Sequence, residues 1–432
     1  MQKITSFFLT FCAVLFFSFP GAAAAKNDDG YITYKFKRGD TLIEIAQRYF
    51  KSPRNYRIVQ RHNRIANAKL IPVGRNIRIS RAFLKFSPSK ARLVSVRGRV
   101  LRSRSVAKRG DIVREGTSLT TSASSFVSLA LEDGSTISLP SNSSMRITRL
   151  RKYLLGGSLD YDFAVSRGGA RSKVRRHKSR DDRYRVRSPK AVSAVRGTDF
   201  QMRFDEVTNS DFAEVVEGAL AVNTGNATDL PLPAERGLAV AANGAVQQEA
   251  LLAPPSLIEP GKTQTKQKLT FAVKPVTSEA GYRLTWATDA GFVDQVADIT
   301  TANPQISVDG FENGNYFIRA RAISKAGIQG MPATYAFRRR LNDVKGSAGK
   351  SDDGFAFKWF AAGDGVQRFH FQLFRGNKDS VAMIDEAGLS ESSIAISDLP
   401  AGEYFWRVGS VLYLDGEATT DWTDFEKITL SE

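Results

Sequence analysis

Cysteine is almost missing from this chain of 432 residues, and the single one, Cys12, falls in the apolar run from Phe7 to Phe19. Lys3, that run and Ala23-Ala24-Ala25 before Lys26 read as a secretory signal peptide over residues 1–25. Phe11 precedes Cys12 where a lipoprotein cleavage site needs a small residue, which argues against a lipid anchor. The remaining chain has no thiol, so disulfides, thiolate metal sites and cysteine nucleophiles are excluded and the exported fold must rest on core packing. Histidine is scarce too: His62, His177 and His370 lie in three different expected domains, which suggests neither a metal cluster nor a nucleophile and its base. The neighbouring carboxylates Asp181-Asp182 and Asp352-Asp353 sit in turn-like stretches. They do not supply the facing pair, roughly 5 to 9.5 Å apart, that glycoside hydrolysis requires. No catalytic residue, cofactor or metal site is assigned, and a non-enzyme is expected. Beyond residue 25 no apolar run approaches the roughly 20 residues that cross a bilayer, so the mature chain is not expected to be transmembrane.

Acidic residues are sparse in the first half. From Lys26 to Arg203 there are 41 basic and 13 acidic residues, a net of +28, whereas Phe204 to Glu432 has 20 and 31, a net of −11. A positive half attracts anionic polymers through its summed field. With an export signal in front of it, envelope phosphates and carboxylates are the expected partners and nucleic acid is not. The densest stretch, Arg167 to Lys190, holds eight Arg and three Lys against Asp181 and Asp182, with little apolar periodicity before Tyr184 and Val186. It reads as an exposed loop or a long hairpin tip. Arg171, Lys173, Arg175, Arg176, Lys178 and Arg180 are its candidate anion-binding residues, since guanidinium forks pair with phosphate and carboxylate. The alternative is a solvated charged loop. Aromatic interleaving is almost absent, so base stacking is unsupported.

Near the start, Thr41-x-x-Glu44 is a capping box that begins a helix, and Leu42, Ile45, Ala46 and Tyr49 follow at the spacing of one buried face. Ser52-Pro53 offers a second helix start, and Ile77 and Ile79 close the segment as a strand. Together with Gly39-Asp40-Thr41-Leu42 and Leu70-Ile71-Pro72-Val73-Gly74, this run resembles a LysM module over residues 30–82. The resemblance implies a βααβ fold and a shallow groove for N-acetylglucosamine glycans such as peptidoglycan. Carried over by position, that groove would use Gly39, Asp40, Thr41, Leu42, Asn63, Ile71 and Pro72. Each also has a purely structural reading as cap, core or turn. The departure is charge, a net of +10 from Tyr34 to Ser80, with Arg75 where the family often has a neutral residue.

Over residues 91–250 short alternating strands are separated by Gly and Asn turns, the pattern of an all-β domain of hairpins. Val96-Arg97-Gly98-Arg99-Val100, Leu131-Glu132-Asp133-Gly134-Ser135, Val195-Arg196-Gly197-Thr198-Asp199-Phe200 and Val216-Glu217-Gly218 resemble blocks of the FecR domain. That likeness implies a periplasmic binding or scaffold module. The membrane-crossing segment of signal-relaying relatives is not found here. Arg196-Gly197-Thr198 reads as a hairpin turn that fixes register.

In the last third, Phe311-x-x-Gly314-x-Tyr316-x-x-Arg319 recurs as Leu399-x-x-Gly402-x-Tyr404-x-x-Arg407, an offset of 88 residues. Such a period implies two homologous β-sandwiches. The Gly-x-Tyr corner resembles fibronectin type III folds, where a tyrosine hydroxyl ties a strand corner to backbone. Ala253-Pro254-Pro255 and Pro260-Gly261 mark an extended linker over 251–262, and Lys345-Gly346-Ser347-Ala348-Gly349 a joint between sandwiches at 263–342 and 345–432. Trp286, Trp359, Trp406 and Trp422 are expected mostly in the core, the alternative being a carbohydrate-binding face.

The fold class is therefore mainly β and multidomain: a small βααβ module, an all-β domain and two sandwiches. The function expected is that of a non-catalytic periplasmic, cell-envelope protein that binds peptidoglycan glycan through its N-terminal module. The basic half would meet an anionic envelope polymer, and the sandwiches a protein partner. The alternative is a FecR-like envelope signalling component.

Overall fold

A computed structural model describes residues 30–431 except 196, 226–227 and 352–353, so the expected signal peptide and the Asp352-Asp353 pair lie outside the described residues. The described residues are mainly β, with two α-helices and four large cores among them.

In the N-terminal module, strands Tyr31–Lys35 and Asn76–Ser80 pair antiparallel, with Tyr31 opposite Ser80. Helices Leu42–Tyr49 and Tyr56–His62 lie between them. Thr41 Oγ1 accepts from the Glu44 amide at 3.2 Å, so the anticipated cap forms, and Leu42, Ile45 and Ala46 are the buried face. Pro53 opens a short 3-10 turn leading into the second helix. The resulting order is βααβ. The module does not close its core alone: Leu84 and, from far along the chain, Tyr153 and Leu155 complete it. Those two sit at the tip of a long hairpin, strands Ser144–Tyr153 and Leu159–Lys173, and strand Phe86–Pro88 runs beside that tip, pairing with Arg151 to Tyr153.

The same hairpin organises the middle domain, a closed barrel of strands between Phe86 and Ala250. Its long strand serves both sheets. Residues Leu159 to Ala164 pair with Ser144–Tyr153 and, in parallel, with Arg183–Arg187, while Gly168 to Lys173 pair with Asp199–Asp205. A parallel neighbour requires the chain to cross over before pairing, so the segment from Val174 to Asp182 is a crossover connection, with Arg171 and Lys173 inside the strand before it. The expected loop is found over Val174 to Asp182, whereas Arg167 to Lys173 and Arg183 to Arg187 are strand, which corrects the expectation for those parts of the tract. The expected hairpin turn at Gly197-Thr198 is also corrected, while Arg196 lies outside the described residues. Val192–Val195 pairs with Arg183–Arg187 and Ala219–Asn223, and Asp199–Asp205 pairs with other strands, so the turn carries the chain from one sheet to the other. Gly197 and Gly218 meet at these crossovers, both at positive φ. A Cβ on Gly218 would stand 2.6 Å from the Gly197 carbonyl oxygen, which no side chain tolerates.

Each C-terminal unit is a sandwich. The first sets Leu257–Ile258, Leu269–Val273 and Gln305–Val308 against a sheet of Gln295–Thr301, Glu279–Ala287, Gly314–Ser324 and Ala333–Arg339. The second repeats this with Val344–Ser351, Gly354–Ala361 and Ser393–Ile396 facing a sheet built on Val366–Arg375 and Gly402–Leu414. Trp286, Trp359 and Trp406 are core residues, whereas Trp422 is half-buried under the Arg407 guanidinium, 4.4 Å from its ring centre.

Both expected connections differ from the sequence reading. Leu257–Ile258 is already a strand of the first sandwich, the Leu252 carbonyl accepts from the Met331 amide at 2.9 Å and Pro255 is buried, so the linker is tied down at these points, while Ala253 and Pro254 stay exposed. Lys345 to Gly349 lies within strand Val344–Ser351, which moves the joint back to Arg340–Asp343. There Asn342 is fully buried, its amide donating to the Ser410 carbonyl at 2.8 Å and the Thr419 carbonyl at 3.0 Å.

Candidate functional site

Two loops of the N-terminal module lie side by side. The Phe36 amide donates to Arg75 O at 2.9 Å, Gly74 N to Phe36 O at 2.8 Å and Leu42 N to Ala68 O at 3.1 Å, so the segments around residues 36–42 and 68–75 form one surface. Gly39 and Pro72 are exposed on it. Asp40 accepts from the Tyr34 hydroxyl at 2.7 Å and the Lys37 amide at 2.8 Å, which shapes the first loop. Burial and the Asp40 carboxylate push the Tyr34 phenol up to about 12. Thr41 is engaged as a cap. Leu42 is wholly buried, Ile71 nearly so, and Asn63 spends its amide on Val59 O and Arg78 O at 2.8 Å each while its oxygen accepts from Arg78 N. These three serve the fold, which corrects their assignment to a ligand groove. Arg75 likewise caps the second helix, donating to Asn63 O at 2.9 Å. Leu70 and Val73, quoted in the motif but not among the candidate groove residues, are 76% and 66% exposed on the second loop. Apolar residues beside a Pro-Val-Gly turn were the available signal.

The basic tract divides by its partners. Arg171 grips Asp199 through two bonds at 3.1 and 2.8 Å, and Arg185 and Arg187 reach the buried Asp162 at 2.6 and 2.7 Å. Burial pushes the Asp162 carboxyl up, but the Arg187 hydrogen bonds and the Arg185 charge outweigh it and hold it below the usual carboxylate range. Arg171 is therefore not a free surface cation. Lys173, Arg175, Arg176, Lys178 and Arg180 are exposed. The first three line a cleft of about 630 Å³ with Gly197, Asp199 and Glu217.

Among the described residues no group of three or more His, Asp or Glu side chains could hold a metal ion. His62 stacks on Tyr31 at 4.6 Å and His370 pairs with Asp385. No described helix is long and apolar enough to cross a membrane. On the second sandwich Phe360, Val366 and Val381 stand exposed.

The middle barrel and first sandwich share a seam. Ile328 packs with Phe212 and Leu251, Arg203 donates to both Glu214 and Gly327 O, and the buried Glu214 accepts from the Gln329 amide at 3.1 Å. Arg97 pairs with Asp294, and Ser141 donates to Asp298 at 2.7 Å.

No curated protein matches the chain. Among solved structures, two crystal structures of a candidate anti-sigma factor from Parabacteroides distasonis ATCC 8503 are similar at 18% identity and a TM-score of 0.27. They cover 31% of this chain, which in turn spans 59% of their length. The chicken CNTN1 FN1–FN3 domains are similar at 12% identity and a TM-score of 0.23, covering 56% of this chain and 95% of that one. A two-domain fibronectin type III segment of chicken tenascin is similar at 15% identity and a TM-score of 0.20, covering 40% and 98%. Residues 117–221, the heart of the middle barrel, match the family model described as FecR protein.

Proposed function

We propose that the protein is a non-catalytic signalling component of the cell envelope, with the FecR domain as its working part. The observation that carries this reading is the FecR match over residues 117–221. The docking of that domain on both sides supports it. The hairpin tip with Tyr153 and Leu155 holds the N-terminal module, and the seam around Ile328 holds the first sandwich, so a load or ligand at either end bears directly on the FecR domain. The protein partner meets the apolar side chains exposed on the second sandwich. The test is deletion of the gene in its host with transcript sequencing under envelope stress. The expected result is a changed set of genes sharing one promoter class, and an unchanged profile would defeat the reading.

A second reading has its own support. The N-terminal module resembles LysM, and the exposed Leu70, Pro72 and Val73 beside Gly39 offer an aliphatic rim for a glycan. Four or so net hydrogen bonds of about 1 kcal/mol each give roughly millimolar affinity, which apolar contact moves toward micromolar. In this reading the module tethers the signalling domain to peptidoglycan. Full-length protein should pellet with purified sacculi, and Val73→Glu should release it. If the variant pellets equally well, the rim is not the glycan site.

A further inference from the structure

The seam between the FecR domain and the first sandwich gathers more guanidinium groups than it has carboxylates to meet them. Arg171, Arg283, Arg319 and Arg321 line one narrow cavity of about 40 Å³, together with Gln201 and Gln329. Arg171 is paired with Asp199 at 2.8 Å and Arg283 with Asp298 at 2.6 Å. Among the described residues Arg319 and Arg321 form no ion pair. Arg321 is 4% exposed, and its hydrogen bond goes to the Gly330 carbonyl at 2.8 Å. Arg319 Nε is buried without a hydrogen-bond partner. Its guanidinium is held 3.7 Å from the ring centre of Phe292, a residue that itself sits at φ 58. A left-handed backbone at a bulky residue is sparsely populated and persists only where the surroundings impose it.

Burial and the Arg171 charge push the Arg321 guanidinium down to about 9, which leaves it protonated at neutral pH. Arg321 is buried and Arg319 half-buried; Glu214 and Asp199 offset part of the charge on Arg321 but form no ion pair with it, and an anion seated between the two guanidinium groups relieves the remaining cost. The cavity exceeds the roughly 10 to 15 Å³ that one water requires. Guanidinium forks match the oxygens of phosphate. The cavity also shares Pro140 and Arg283 with an outer cleft of about 370 Å³ lined by Ser141, Asn142, Arg167 and Arg203, which leads to solvent.

We propose that this seam is a binding site for a phosphate-type oxyanion, held by Arg319 and Arg321 of the sandwich with Gln201 of the barrel, the ion-paired Arg171 and Arg283 lining it, and that its occupancy locks the two domains together. The site goes beyond the signalling reading and does not depend on it. The anion is either free inorganic phosphate or the phosphate end of a larger molecule whose remainder occupies the outer cleft. The test is calorimetric titration and thermal unfolding of the full chain with inorganic phosphate and, separately, glycerol phosphate, each against chloride at equal ionic strength. Phosphate is expected to raise the melting temperature beyond chloride, and Arg319→Gln and Arg321→Gln each to weaken its binding by about tenfold or more. Arg319→Gln removes a side chain that makes no ion pair, so it is expected to fold. Tighter binding of glycerol phosphate identifies the larger ligand, and equal or weaker binding the free ion. Absence of any phosphate-specific effect from either compound, or an unchanged effect in both variants, would overturn the site.

Discussion

Arg97 closes on Asp294 with two parallel hydrogen bonds, Nε to Oδ1 at 2.9 Å and Nη2 to Oδ2 at 2.7 Å, and so ties the middle barrel to the first sandwich. Ser95 adds a third bond at 2.6 Å and Thr288 a fourth at 2.9 Å. The Arg97 hydrogen bonds outweigh burial and, with those from Ser95 and Thr288, hold the Asp294 carboxyl well below the usual carboxylate range. A depressed carboxylate contributes stability that is present above its unfolded value near about 4 and lost as pH falls through the folded value. Asp294→Asn is therefore expected to cost about 1 kcal/mol at pH 7, since Arg97 is half exposed. The gap to the unmutated protein should shrink steadily below about pH 4. Urea denaturation at pH 7, 5 and 3 measures it, and a pH-independent gap would show that the pair is not the source.

The seam also has an apolar centre, where Ile328 is 1% exposed against Phe212 and Leu251. A Cβ on Gly237 would lie 2.2 Å from Ile328 Cγ2, which shows how closely the domains approach. Ile328→Asp should undock the sandwich by burying an unpaired charge. Limited proteolysis is then expected to release a fragment starting near Pro260 from the variant and not from the unmutated chain. Equal cleavage of both would mean that the seam opens without help.

The Tyr316 hydroxyl donates to Glu312 O at 3.0 Å, and Tyr404 repeats the bond to Pro400 O at 2.7 Å, the same four-residue reach in both sandwiches. Removing the hydroxyl leaves the carbonyl without that donor. Tyr404→Phe and Tyr316→Phe are each expected to cost about 1 to 2 kcal/mol, read from chemical denaturation. A neutral result at both would make the corner a passenger of the repeat.

Leu155 is 2% exposed in the core of a module it joins only through the hairpin tip. Leu155→Ala should cost about 2 to 5 kcal/mol and take helix signal at 222 nm with it. By the same logic a fragment of residues 30–90 should be poorly folded. A fully helical, cooperatively melting fragment would contradict the shared core.

Neutralising Lys173, Arg175, Arg176, Lys178 and Arg180 together is expected to weaken association with an anionic polymer such as polyphosphate and to flatten its salt dependence. These five are the exposed members of the tract. The basis is general screening of exposed charge. An unchanged salt slope would assign them to plain solvation.

What the sequence determined by itself was whatever local rules decide. Thr41 and Pro53 set helix starts, alternating apolar residues set strands, and the repeated Gly-x-Tyr set two sandwich corners, because caps, period-two faces and tight corners need only neighbours in the chain. Of the candidate groove, Gly39 and Pro72 lie exposed on the loops. Leu42 and Asn63 serve the fold instead, since the same residue types fill cores and close helices. Tertiary structure alone decided which charges are spent. Arg171, Arg185 and Arg187 look alike in sequence to Arg175 and Arg176, yet the long strand shared by both sheets brings Asp162 and Asp199 to the first three. It also decided that Leu155 belongs to a module more than seventy residues upstream, and that Arg319 and Arg321 face Arg171 across a seam. Ion pairing and burial depend on distances between segments far apart in the chain, and no spacing along one segment encodes them.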